Sequence, residues 1–331
     1  MAVVTLAKAL NNALRAALDA DSRVLLMGED IGKLGGVFRI TDGLQKDFGE
    51  DRVIDTPLAE SGIIGTAVGL AMRGYRPVCE IQFDGFVYPA FDQIVSQVAK
   101  HHARSEGRTP MPMVIRIPFG GGIGAVEHHS ESPEAYFAHT AGLRVVSPSN
   151  PLDAYVMLQQ AIACEDPVIF FEPKRRYWDK GEVPDGLVVP VDEESRGDLF
   201  RARVARPGRD LTLACYGPTV RTCLEAATAA EAEGHDLEVI DLRSLSPLDL
   251  DTVCSSVRRT GRLVVVHEAS VFLGMGAELA ARVTERCFYS LEAPVLRVGG
   301  FHSPYPPSRL EDDYLPDLDR VLDGVDRAFG Y

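Results

Sequence analysis

Short and almost wholly apolar runs alternate with helical segments along the chain, and this alternation limits the possible folds more than any other feature. In the first half the runs are VLLMG (24–28), RVIDT (52–56), PVCEIQF (77–83), MVIRIP (113–118), LRVVSP (143–148) and PVIFF (167–171). Helical periodicity lies between them, near 5–19, from Glu60 onward, over 89–104 and at 151–163. Strands that are apolar on both faces are typical of a parallel sheet covered by helices. The pattern predicts a doubly wound α/β domain at 1–180.

A second α/β unit follows a stretch without helical periodicity. The segment DKGEVPDGLVVPVDEESRGD (179–198) is rich in Gly, Pro and acids, which favours an extended linker, placed at 181–200. Strands are then predicted at 211–217, 237–243, 262–268 and 294–300, with helices near 219–233, 249–259, 275–289 and 318–329. Since 331 residues are too many for one compact core, we predict two doubly wound domains, the second at 201–331.

The charge and composition of the chain limit its partners. It has 48 acidic and 34 basic residues, a net charge of −14, so nucleic acid is a poor partner. No apolar run approaches the ~18 residues of a membrane span, and no signal-peptide pattern is present. The six cysteines show no zinc-site spacing and are expected to be reduced residues of the core. We therefore expect a cytoplasmic protein that binds neither membranes nor nucleic acids.

One acid stands in an unusual place. In DTPLAESGIIGTAVGLAMRG (55–74) a helix of small and aliphatic residues begins after a proline turn, and Glu60 lies in its first turn. The apolar face of such a helix would be buried against a sheet or another subunit, where a carboxylate loses solvation unless it gains a proton or a partner. The simpler interpretation is that Glu60 complements the helix dipole. The helix by itself leaves both interpretations open.

Aromatic and amide side chains follow a strand end in EIQFDGFVYPAFDQI (80–94). Ligands bind at strand ends in open α/β sheets. The aromatics there could stack on a flat heterocycle, or Phe86 and Tyr88 could fix the next helix to the core.

A glycine loop and three histidines lie in GGGIGAVEHHSESPEAYFAH (120–139). The loop matches no established phosphate-binding pattern, and adjacent histidines have the wrong spacing for a metal. One of His128, His129 and His139 could transfer protons, or all could be solvated loop residues. Two weaker signals are GEDIGKLGGVFR (28–39) and HEAS with GMGAE (267–278).

Seven blocks, in this order and spacing, resemble one family. They are FGEDRVIDTPLAESGIIGTAVGLAMRG, EIQFDGFVYPAFDQI, HHSESPEAYFAHTAGLRVVSPS, PVIFFEPKRRY, EVIDLRSLSPLD, RTGRLVVVHEA and LEAPVLRVGGFHSPYPP. They are similar to the β subunit of the E1 component of 2-oxoacid dehydrogenase complexes, from about Val3 to the C-terminus. The resemblance implies a transketolase-like pyrimidine-binding domain and a transketolase C-terminal-like domain. The histidine block and the Pro-Tyr-Pro-Pro tail look most like branched-chain members, with pyruvate or acetoin dehydrogenase β subunits as the nearest alternative.

The resemblance also implies a thiamine diphosphate site. Glu60 matches the carboxyl that hydrogen-bonds N1′ of the aminopyrimidine ring of the cofactor, and Phe86 matches the aromatic that stacks on that ring. Leu58 and Gln82 match neighbours in the same pocket. These matches favour a catalytic interpretation of Glu60.

Three further residues are matched by the same resemblance. His129 matches a histidine that positions or protonates intermediates and guides acyl transfer to the lipoyl group. Glu29 and Glu182 match acids that connect two distant cofactor sites. Because Glu60 and His129 are both present, the resemblance argues against a non-catalytic assembly subunit, the alternative from another class.

The chain is expected to supply only half of the cofactor site. It has no GDG motif, which in single-chain thiamine enzymes helps to hold Mg²⁺ and the diphosphate. The resemblance therefore implies that an E1 α subunit carries both, in an α2β2 heterotetramer. It also implies a possible structural K⁺ on backbone carbonyls, at Met113, Ala161, Ile162, Cys164 and Asp166.

The second domain is expected to dock the E2 acyltransferase, whose lipoyl domain receives the acyl group. Its segment RLEDDYLPDLDR carries more acids than bases, and exposed acids would steer a basic partner domain. A solvated, charged tail is the simpler interpretation. The acids are Glu311, Asp312, Asp313, Asp317 and Asp319.

Overall fold

The computed structural model describes residues 1–192 and 197–331, and its largest sheet has seven strands. In spatial order they are Ser244–Ser246, Arg144–Val146, Val168–Pro173, Val114–Phe119, Arg76–Glu80, Val24–Gly28 and Val53–Asp55. Neighbouring strands are parallel, except for the antiparallel first pair. The predicted parallel sheet of the first half is confirmed. Its outermost strand, however, comes from the second half of the chain.

Helices cover both faces of this first sheet. They span Leu6–Ala20, Leu44–Phe48, Glu60–Met72, Ala99–Arg104, Glu134–Ala138 and Pro151–Ala163. Leu6–Ala20 and Pro151–Ala163 pack together over one face, while Glu60–Met72, hereafter the Glu60 helix, packs over the other. The strands are largely apolar because alternate residues enter different cores: Val114 lies in one and Ile115 in the other.

The second α/β unit is built on a five-stranded sheet. Its strands, in spatial order, are Leu296–Gly300, Leu263–Ser270, Leu211–Cys215, Leu237–Asp241 and Arg203–Arg206, and only the last pair is antiparallel. Its helices span Thr219–Ala232, Leu250–Thr260, Met275–Cys287, Glu311–Tyr314 and Leu318–Phe329. All six cysteines of the chain are buried. Among the described residues, no helix combines the length and the apolar character that a membrane crossing requires.

The start of the predicted linker is part of a two-stranded ribbon. Lys180–Val183 pairs antiparallel with Ala2–Thr5 at the start of the chain. This part of 181–200 is therefore held against the first unit. Residues 193–196 of the same prediction lie outside the described residues.

The predicted helix over 89–104 is observed from Phe91 onward. A 3₁₀ segment covers Asp84–Ala90, Phe91 and Asp92 are α-helical, a π-helical segment covers Gln93–Val98, and Ala99–Arg104 is α-helical again. Pro89 has no N–H to donate and disfavours the α conformation of the residue before it, so an α-helix is not favoured there. The 3₁₀ segment carries Phe86 and Tyr88.

Two acids of the second unit are buried against the glycine loop at 120–124. Glu311 is only 6% exposed; its carboxylate accepts hydrogen bonds from the amides of Gly122 and Gly124, both at 2.9 Å. Glu268 accepts one from the Gly121 amide at 3.0 Å. Gly122 and Gly124 have positive φ angles of 87° and 70°, which favour glycine. The expectation that Glu311 is an exposed acid was wrong, because its carboxylate is buried and accepts hydrogen bonds from the backbone amides of this loop.

Candidate functional site

Glu60 is a buried carboxylate without a partner among the described residues. It begins the Glu60 helix after Ala59, which provides no side-chain cap, and it is 9% exposed. Within residues 1–192 and 197–331, its carboxylate makes no hydrogen bond or ion pair. The helix dipole favours an acid at this terminus. Burial of a carboxylate nevertheless costs free energy, and only a hydrogen-bond donor or a proton offsets this cost. The carboxylate is therefore available to an incoming donor.

A second acid lies within electrostatic range of Glu60. Glu29 follows the strand Val24–Gly28 and is half-buried. Burial raises the pKa of Glu29, and the negative charges of Asp30 and Glu60 raise it further. Leu58, two residues before Glu60, is 67% exposed.

His129 is held between aromatic rings. Its ring centroid lies 4.1 Å from that of Phe83 and 5.2 Å from that of Phe86, the second in edge-on contact. Burial lowers the pKa of His129, and the nearby His128 and Lys174 lower it further. Its Nδ1 is buried and has no hydrogen-bond partner among the described residues. At neutral pH this imidazole is uncharged and can accept a proton.

A buried ion pair lies next to the loop that carries His129, and it was not predicted from the sequence. Asp84 and Lys174 are 0% and 2% exposed and form a short ion pair. Asp84 also accepts a hydrogen bond from the Glu131 amide at 2.9 Å, and Lys174 Nζ lies 5.8 Å from the ring centroid of Phe83. The only sequence signal was a charged residue directly after each of two apolar runs, in EIQFD and FFEPK.

Five of the predicted site residues lie near the carboxyl ends of neighbouring parallel strands. Glu29 follows Val24–Gly28, and Gln82 and Phe86 follow Arg76–Glu80. The Glu60 helix packs against the 3₁₀ segment that carries Phe86, and Phe86 contacts His129. Gln82 is half-buried and makes no side-chain hydrogen bond within the described part of the chain.

Glu182 is not part of this arrangement. It is exposed in the ribbon strand Lys180–Val183, where its charge acts on the amino terminus of Met1. Its predicted role with Glu29 in connecting two cofactor sites stays a prediction.

Several of the five positions predicted for K⁺ already have partners in the structure. Arg76 Nη1 donates to the carbonyl oxygens of Ile162 at 3.0 Å and Cys164 at 3.2 Å. The carbonyl of Met113 accepts from the Val168 amide at 2.9 Å, and that of Ala161 from the Cys164 amide at 3.2 Å. The Asp166 carboxylate pairs with Arg144 and His102. The Arg76 guanidinium thus supplies positive charge to two of these carbonyls, which disfavours a second cation beside it, and the K⁺ site stays a prediction.

We predict that folding of the chain is insensitive to K⁺. Its melting temperature should be the same in KCl and NaCl of equal ionic strength, because Arg76 already satisfies the two carbonyls. Arg76→Ala should melt at a lower temperature, since it removes both hydrogen bonds, and part of that loss should return in KCl alone. Differential scanning calorimetry measures both. A wild-type melting temperature that rises only with K⁺ would instead support the ion site.

Comparison with known proteins assigns the family. Residues 2–179 match the transketolase pyrimidine binding domain family, and residues 201–321 the transketolase C-terminal domain family. A solved structure titled split gene transketolase, inactive beta4 tetramer, shares the fold, with a TM-score of 0.79, 23% identity, and coverage of 99% of this chain and 98% of that one.

Curated relatives extend over nearly the whole chain. The pyruvate dehydrogenase E1 component subunit beta of Leifsonia xyli subsp. xyli is 60% identical over 98% of this chain and 94% of its own. The 3-methyl-2-oxobutanoate dehydrogenase subunit beta of Mycobacterium tuberculosis is 57% identical over 98% and 92%. With both family domains present in order and identity at this level, the chain belongs to the β subunits of 2-oxoacid dehydrogenase E1 components.

Proposed function

We propose that this chain supplies the pyrimidine half of a thiamine diphosphate site and that it acts in the oxidative decarboxylation of 2-oxoacids, followed by reductive acylation of lipoyl-E2. The observation that carries the proposal is Glu60, a buried carboxylate with no partner in the described chain, near an aromatic side chain at strand ends. When bound, thiamine diphosphate supplies an electron sink for the electron pair left as carbon dioxide departs.

The residues present fit the pyrimidine end of that cofactor. Glu60 would hold and share a proton with ring nitrogen N1′, which would satisfy its buried carboxylate. Phe86 would stack on the ring, Gln82 offers an amide without a partner in the described residues, and Leu58 adds apolar surface. His129 is neutral, its Nδ1 has no partner among the described residues, and it would take or give a proton during acyl transfer.

A partner subunit would supply the rest of the site. Within the described residues, no group of three or more His, Cys, Asp or Glu side chains is placed to hold a metal ion. The Glu60 helix is apolar around its circumference, yet it leaves Gly62, Gly65 and Gly69 exposed. Such a helix is usually covered. We propose that an E1 α subunit binds the diphosphate and Mg²⁺ and covers the exposed side of this helix, in an α2β2 heterotetramer.

Calorimetry and turnover test the proposal together. The chain alone should not bind thiamine diphosphate tightly and should not decarboxylate any 2-oxoacid, whereas the chain mixed with its α subunit and Mg²⁺ should do both. Micromolar, Mg²⁺-dependent binding by the chain alone would overturn the half-site assignment. Assembly without turnover would instead favour a non-catalytic assembly subunit.

The substrate is proposed to be a branched-chain 2-oxoacid, on the basis of the HSESPEAYFAH block. Pyruvate is the second candidate, because the curated relatives at 60% and 57% identity are named for pyruvate and for 3-methyl-2-oxobutanoate, respectively. The value of kcat/KM of the tetramer for these two acids decides between them, and a higher value for pyruvate would reverse the order.

His129→Ala should separate two activities of the complete complex. The imidazole should matter more for passing the acyl group to lipoyl-E2 than for release of carbon dioxide, so overall NADH formation should fall further than decarboxylation with an artificial electron acceptor. A loss of about two orders of magnitude in NADH formation is the usual scale for a proton-transfer group. Equal losses in both assays would contradict this role.

E2 docking is proposed for the second unit. Asp312, Asp313, Asp317 and Asp319 are exposed, whereas Glu311 is buried. We predict that association of the tetramer with the E2 docking domain slows as salt rises, because ions screen such charges over ~8 Å at physiological ionic strength. The double substitution Asp312→Asn, Asp313→Asn should weaken that salt dependence, as stopped-flow mixing can measure. An association rate that neither change affects would place the docking site elsewhere.

A further inference from the structure

A cleft between the two α/β units is lined by tyrosines from both. Its volume is about 210 Å³. Tyr88 and Tyr136 of the first unit form one edge-on pair, with ring centroids 6.5 Å apart, and Tyr305 and Tyr314 of the second form another at 5.0 Å. Glu60, Gln82, Phe86 and His129 are not among its lining residues, although Ser130, which follows His129, is one of them. The cleft therefore adjoins the proposed cofactor site but is lined by different residues.

Two carboxylates line the same cleft, and they differ in their partners. Glu268 is buried and already neutralised, because it pairs with Arg175 at 2.6 Å and accepts a hydrogen bond from the Gly121 amide. Glu131 accepts only a hydrogen bond from Tyr88, at 3.2 Å. Across the described residues, no Lys, Arg or His lies within ion-pair distance of Glu131.

The charge of Glu131 acts on both walls of the cleft. Burial raises the pKa of Tyr88 and of Tyr314, and the carboxylate of Glu131 raises each further, although the two tyrosines belong to different units. Arg320 acts on Tyr314 in the opposite sense: it donates to the Tyr314 carbonyl at 2.8 Å and lowers the pKa of the phenol, but its guanidinium stacks on Phe301 at 4.6 Å and it does not line the cleft. A carboxylate with no ion-pair partner among the described residues therefore faces a space bordered by four aromatic rings.

We propose that this cleft binds a small organic cation, a primary or quaternary alkylammonium ion. Aromatic faces attract such ions through the ring quadrupole, and Glu131 supplies a negative charge that no cationic side chain of the described residues pairs with. The net charge of −14 of the chain favours cations further. The proposal does not depend on the activity of the cofactor site.

Titration with tetramethylammonium tests the site on the full-length chain. NMR or calorimetry should give a dissociation constant for this cation and no measurable binding of tert-butanol, its neutral analogue of similar shape. Glu131→Gln keeps an oxygen for the Tyr88 hydroxyl and removes the charge, so it should weaken binding roughly fivefold, the upper range for a partly exposed ion pair.

Two substitutions at Tyr136 measure how much its aromatic ring contributes to binding of the cation. Tyr136→Phe keeps the aromatic face and should bind like the wild type, whereas Tyr136→Ala should weaken binding roughly threefold or more. Asp312→Asn removes an exposed charge of the second unit that does not line the cleft and should leave the affinity unchanged. Equal binding of tert-butanol, no effect of Glu131→Gln, or equal losses for Asp312→Asn and Glu131→Gln would each overturn the proposal.

Discussion

Glu60→Gln is expected to lower the turnover of the assembled enzyme by about two orders of magnitude or more, the scale for loss of a proton-transfer group. Glutamine keeps the size of the side chain and an acceptor oxygen, but it cannot share a proton with a ring nitrogen. Because the native carboxylate is buried without a described partner, its neutral replacement should not destabilise the helix. Steady-state kinetics with the reconstituted tetramer measures the effect, and size-exclusion chromatography confirms assembly.

Glu106→Gln is the matched control, since Glu106 is an exposed acid of the same unit. It should assemble and turn over like the wild type. If Glu60→Gln failed to assemble but turned over normally whenever it did, Glu60 would be no more than a helix-terminus acid, and the cofactor assignment would lose its main support.

Lys174→Met is expected to destabilise the chain by about 3–5 kcal/mol, the usual result of removing one partner of a buried ion pair. The remaining Asp84 carboxylate would be buried with backbone amides, that of Glu131 among them, as its donors and no cation beside it. Burial already raises the pKa of Asp84 even though Lys174 opposes this rise, so without Lys174 the pKa should rise further. A carboxyl whose folded pKa lies above its unfolded value binds its proton more tightly when folded. The deficit should therefore shrink as the pH falls.

The double variant Asp84→Asn, Lys174→Met separates charge from packing. Asparagine can still accept the hydrogen bond from the Glu131 amide, and no buried charge remains, so denaturant unfolding should show that the double variant is more stable than Lys174→Met alone. Equal stability of the two variants at every pH would mean that Asp84 and Lys174 stabilise the chain through packing and not through their charges.

Local signals predicted those elements whose ends are fixed by neighbours in sequence. The helix predicted at 151–163 spans Pro151–Ala163 because the Asn150 side chain accepts from the Asp153 amide at 3.0 Å and Pro151 starts the first turn. The strand VLLMG was predicted with its observed bounds because the run is apolar from end to end, and the structure buries it along its whole length. Pro89 is also a local signal that the α-helix begins after it, but hydrophobic periodicity alone does not detect this signal.

Contacts between distant residues account for the rest. The burial of Glu311 depends on amides 189 and 187 residues away, and the Asp84–Lys174 pair joins residues 90 apart. Neither has a local pattern that distinguishes it from a solvated charge. At the candidate site, family resemblance identified Glu60 and His129 as residues of interest, but only the packed chain establishes that Glu60 is buried and that the His129 ring lies between two phenylalanines.

The short strand Ser244–Ser246 has a consequence for folding cooperativity. It lies in the second half of the chain, yet it pairs with Arg144–Val146 at the edge of the first sheet, and nearby the Ser147 amide donates to the Arg243 carbonyl at 2.8 Å. Separation of the halves would leave a strand edge unpaired, and exposed edges promote aggregation. Although the chain has two sheets, it is expected to melt in one concerted transition, and neither half is expected to be an autonomous folding unit.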